Sequence, residues 1–61
     1  MVTWGQIIQF EESGLSFVKL DNQSLLPFTA DKIRYVHGVN NCVGRHVELE
    51  IEDRQVLWIK I

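Results

Sequence analysis

The sequence predicts an all-β protein, a small five-stranded antiparallel Greek-key barrel with one short helical turn. Three observations carry that prediction. In HVELEIE, residues 46–52, Val47, Leu49 and Ile51 alternate with His46, Glu48, Glu50 and Glu52, the period of a strand with one buried and one wet face. The breaks at Gly14, DNQS, Pro27, HGVNN and EDR fall at the short intervals that separate short strands. Three strands, a helical turn, a long connection and two more strands then match the strand economy of such a barrel.

Taken in order, WGQIIQF opens the first strand, predicted over 3–11, with Gly5 near its start. LSFVKL makes the second, 14–20, and SLLPF the third, 24–28. Pro27 lacks an amide donor, so the third strand must place it at an end or an unpaired edge. In TADKIR, Thr29 offers an N-cap and Asp31 a carboxylate in the first turn, enough for a turn or two of helix. YVHGVNNCVG, residues 35–44, reads as a long connection. The chain ends in a hairpin, with strands at 46–52 and 55–61 turning around Asp53 and Arg54. Parity within these strands assigns Ile7, Val18, Leu20, Leu26, Val47, Leu49, Ile51 and Ile59 to the core.

The 61 residues make one domain, 1–61, and leave no room for a second core. Composition is that of a folded protein, with 46% hydrophobic and 23% charged residues. The single cysteine, Cys42, cannot form an intramolecular disulfide, which favours a reducing, cytoplasmic setting. No leader or membrane-spanning run is expected. A net charge of −2 argues against a general phosphate-backbone binder, so any nucleic-acid site must be local.

The segments GQIIQFEESGLSFV, SLLPFTADKI and VELEI resemble the cold-shock domain, a five-stranded OB-fold barrel that binds single-stranded RNA and DNA. The resemblance covers nearly the whole chain. In that family, Gly-Phe-Gly-Phe-Ile on the second strand and Val-Phe-Val-His-Phe on the third form an aromatic stacking floor. Their counterparts are Gly14-Leu15-Ser16-Phe17-Val18 and Ser24-Leu25-Leu26-Pro27-Phe28, and the Trp-Phe pair of the first strand resembles Gln9-Phe10. Phe10, Phe17 and Phe28 keep their rings. Gln9, Leu15, Leu25 and Pro27 stand where the family has Trp, Phe, Phe and His. The last 19 residues, from Val43, are also similar to the end of the ribosomal-protein-type RNA-binding OB repeat.

The resemblance implies weak binding of single-stranded RNA or DNA through Phe10, Leu15, Phe17, Leu25 and Phe28, with Lys19 and Lys60 on phosphates. Strand parity independently turns Leu15, Phe17 and Lys19 to one side and Ser16, Val18 and Leu20 to the other. Stacking on a ring contributes about 1–3 kcal/mol per base, whereas leucine supplies contact area alone. The alternative expectation is a non-catalytic interaction module whose Leu15, Leu25 and Pro27 patch docks a protein partner or forms a homodimer.

Other chemistry finds little support. Tyr35 and His37 are placed to stack a base from the long connection, although a half-buried tyrosine and a solvated histidine are the simpler expectation. His37, Cys42 and His46 lack the fourth ligand and paired spacing of a structural zinc site. Glu48, Glu50 and Glu52 read as a solvated strand face. No nucleophile with a base, phosphate loop or carboxylate pair in an apolar cleft stands out, so neither enzyme activity nor a cofactor is expected.

Overall fold

The computed structural model describes residues 1–34 and 42–61. Its strands are β1 (Val2–Gln9), β2 (Leu15–Leu20), β3 (Leu25–Thr29), β4 (Ile33–Arg34), β5 (His46–Glu52) and β6 (Gln55–Lys60). A 3₁₀ turn, Ala30–Lys32, joins β3 to β4. The strands form one sheet in the order β3-β2-β1-β5-β6-β4, antiparallel throughout except for the parallel pair β4–β6. The sheet curls into a half-barrel that brings β3 against β6. Among the described residues no helix is long and apolar enough to cross a membrane.

All five expected strands are present, within two residues at either end, but two features differ from the expected closed five-stranded barrel. Residues 33–34 add a sixth, two-residue strand. Among the described residues the hydrogen-bonded ladder also stays open beyond β3. The Leu20 amide donates to the Ser24 carbonyl at 2.7 Å, so hydrogen-bonded pairs continue at Val18–Leu26 and Ser16–Phe28. Pro27, paired with Phe17, therefore turns its donor-less nitrogen to the outer edge, where a closing strand needs a donor.

The turns follow from local chemistry. Asp53 and Arg54 both adopt positive φ, 54° and 64°, the geometry of a two-residue turn matched to strand twist. At the β2–β3 turn, Ser24 donates its amide to Asn22 Oδ1 at 3.0 Å, while Gln23 takes a φ of 78°. Thr29 departs from its expected capping role: its hydroxyl makes no cap bond and donates instead to the Asp31 carboxylate. That bond, aided by Lys32, holds the Asp31 carboxyl below its usual range.

The core comprises Ile7, Val18, Leu20, Leu26, Phe28, Ile33, Cys42, Val47, Leu49, Val56 and Ile59. Of the residues expected there, Ile51 alone is only half-buried, at the rim beside the β5–β6 turn. Ser16 is the one buried polar side chain among the described residues; its hydroxyl accepts from the Glu11 amide at 2.8 Å and donates to the Glu11 carbonyl at 3.3 Å. Gly5 lies against β2 so closely that a Cβ there would stand 2.8 Å from the Lys19 carbonyl oxygen.

Candidate nucleic-acid interface

Strict alternation in β2 and β3 gathers one outer patch. Leu15, Phe17 and Lys19 face out from β2, and Leu25, Pro27 and Thr29 face out from β3. Phe17 is half-buried directly across from Pro27, and Lys19 is opposite Leu25. Leu15 and Leu25 are 54% and 50% exposed, so about half of each leucine remains available for contact.

Two of the expected rings are elsewhere. Phe28 is in the core, on the same side of β3 as Leu26. Phe10 is half-buried and packs against the core because β1 carries a bulge. Ile7 pairs with Val18 and Gln9 with Phe17, leaving Ile8 as an extra residue. The bulge exposes both Ile8 and Gln9 and turns the next side chain, Phe10, inward. Lys60 is exposed on β6, three strands beyond β2 in the sheet. At ~4.8 Å per strand, ~14 Å of outer surface separates it from the Phe17 patch.

That surface carries rings whose placement was not anticipated from the sequence. Trp4 is 47% exposed and stacks on His46, with centroids 5.3 Å apart and planes inclined by 19°. His46 Nε2 lies 3.1 Å from Asp21 Oδ1, which anchors the imidazole beside the β2–β3 turn. Gln6 continues the row from Lys19 to His46 through successive cross-strand pairs. On β6, the Trp58 indole donates to Glu50 Oε1 at 2.9 Å, and the Arg34 guanidinium lies 5.5 Å from the Trp58 ring centroid. The inward placement of Ile7 and Ile59 supplies the missing signal: period two from either residue turns Trp4 and Trp58 outward.

The backbone locks this row in place. Gly44 donates its amide to the Ile7 carbonyl at 2.7 Å, Ile7 donates to the Arg45 carbonyl at 3.1 Å, and Gln6 Nε2 donates to the Gly44 carbonyl at 2.9 Å. Gly44 has a φ of +88°, a conformation that favours glycine. These bonds set Arg45 beside His46 at the mouth of an outer cleft also lined by Trp4, Glu48 and Lys60.

Cys42 is buried in the core, and burial pushes its thiol pKa up. His46 stands on the outer surface beside Asp21, so these two members of the considered zinc set occupy different layers. Tyr35 and His37 lie outside the described residues. Compared with known protein families, curated proteins and solved structures, the chain matches none.

Proposed function

We propose that the chain is a small, non-catalytic OB-type protein, cold-shock-like in its strand plan, that binds single-stranded RNA or DNA weakly across its outer sheet face. The carrying observation is the outward row that begins at Phe17 and Lys19 and continues through Gln6 to the Trp4–His46 stack. Phe17 and Trp4 supply two π-faces, and Lys19, Arg45 and Lys60 supply cations for phosphates. Base stacking on such rings is tolerant of sequence. The strand plan supports the OB-type reading through the β1-β2-β3 meander, the β5–β6 hairpin beside β1, and the parallel return of β4 to β6. Cys42, buried as a lone thiol, suits a reducing cytoplasm.

Titration of a fluorescent pyrimidine-rich single strand tests the proposal. The expected result is weak binding at low salt, with a shallow salt dependence reflecting about two or three phosphate contacts at ~−0.7 in the log–log slope for each. A specific observation favours a second reading: Leu15 and Leu25, each about half exposed, flank Pro27 in a patch suited to a protein partner or a second copy. Absence of strand binding at low salt, together with a concentration-dependent dimer, replaces the first reading with the second.

A further inference from the structure

The cleft on the outer face of β1, β5 and β6 has a volume of about 250 Å³. That is below the roughly 300–1,000 Å³ of sites for drug-sized ligands and suits a single ring system. Trp4 pairs across the sheet with Glu48, and Glu48 with Lys60, so a stacking ring, a carboxylate and an ammonium form one row over three strands. Steps of ~4.8 Å between strands space them at the scale of one nucleotide. His46, stacked on Trp4, lines the cleft as well, and Arg45, Val47 and Ile61 complete the walls. Glu48 is half-buried, and among the described residues its carboxylate has no hydrogen-bond or ion-pair partner, although Lys60 is directly across from it.

An ionised carboxylate only accepts hydrogen bonds, so the base edge that fits it must present donors. Guanine alone among the common bases offers two adjacent donors, N1–H and the N2 amino group, on its Watson–Crick edge. Adenine and cytosine set an acceptor nitrogen beside their amino group, and uracil flanks its one N–H with two carbonyls. The same carboxylate repels phosphate, which therefore belongs toward Lys60 and Arg45.

We propose that this cleft is a guanine subsite, with the base against Trp4, its N1–H and N2 amino group donating to Glu48, and its phosphate near Lys60 and Arg45. The assignment rests on the single-strand reading above. It adds base selectivity at a place distant from the Phe17 patch.

The test uses short uridine strands carrying one central guanine, inosine or adenine, titrated against the whole protein and its Glu48→Gln variant. Inosine keeps N1–H and lacks the amino group. The expected result is that guanine binds roughly 5- to 150-fold tighter than adenine, the discrimination of one good bidentate base contact, with inosine between them. Glu48→Gln removes that preference while the all-uridine strand still binds, and an unchanged melting temperature shows that the variant folds. Equal affinity for all three strands, or a preference that survives Glu48→Gln, overturns the guanine subsite and leaves the single-strand proposal standing. Failure of every strand to bind, including the all-uridine strand, overturns both.

Discussion

Phe17 and Phe28 are two rings of one type on neighbouring strands, and replacing each with alanine separates the binding face from the core. Phe28 is 4% exposed and belongs to the core cluster, so Phe28→Ala removes a buried ring and leaves a cavity, at a cost of about 3–5 kcal/mol. Phe17 is half-buried on the outer face, and its direct cross-strand neighbour is Pro27. Losing that pair costs about 0.2–1 kcal/mol, and the partial burial of the ring raises the total to about 1–2 kcal/mol. In binding the order reverses: Phe17→Ala loses a stacking platform of about 1–3 kcal/mol, or roughly 5- to 150-fold in affinity. Urea denaturation supplies the stabilities, and fluorescence anisotropy with a labelled pyrimidine strand supplies affinities at a denaturant-free temperature where the variant is folded. If Phe17→Ala destabilises as much as Phe28→Ala, the outward placement of Phe17 is wrong. If it folds normally and binds with unchanged affinity, the stacking face is wrong.

Three further expectations follow from particular contacts. Gly5→Ala drives a Cβ to within 2.8 Å of the Lys19 carbonyl and should cost about 1–3 kcal/mol by overpacking; an unchanged or raised melting temperature contradicts the close β1–β2 approach. Ser16→Ala leaves the Glu11 amide without its hydroxyl acceptor and should cost about 1–3 kcal/mol, with faster hydrogen exchange at Glu11 as the local sign; protection equal to wild type refutes the bond. Cys42, with its thiol pKa raised by burial, should resist alkylation near neutral pH in the folded protein and react quickly in urea. Its linkage has a definite sign: stability is full below the unfolded thiol's pKa and declines as pH rises through the raised folded value, a trend that a Cys42→Ala variant should lack.

How much was legible in the sequence depends on where the period of two is unbroken. The exposed and buried sides of β2, and the inward Val47 and Leu49 of β5, follow directly from alternation. The same rule puts Phe28 on Leu26's side, whereas the family resemblance puts it on the binding face; the structure follows alternation. Phe10 was not legible in this way, because Ile8 reverses the side of everything after it and has no compositional mark as a spare residue. A second spare residue, Leu57, lies between Val56 and Trp58, which pair with Ile51 and Glu50. It lets Val56 and Ile59, three apart, both reach the core. The Trp4–His46 stack needs the pairing of β1 with β5, a long-range contact that no local pattern specifies.

The two edge strands of the sheet, β3 and β4, are consecutive along the chain and separated only by the turn Ala30–Lys32. Among the described residues the half-barrel is thus buckled by covalent bonds at the place where its ladder is open. This divides the folding problem unevenly. The β1-β2-β3 meander and the β5–β6 hairpin form from near neighbours, and the short tether at Ala30–Lys32 adds little loop entropy once both exist. Joining β1 to β5 is the step that must span the middle of the chain, so that docking sets the refolding rate. Gly5, paired with both Leu20 and Val47, belongs to each side of that junction. Gly5→Ala should therefore slow refolding as well as lower stability, and a variant that only unfolds faster would place the slow step elsewhere.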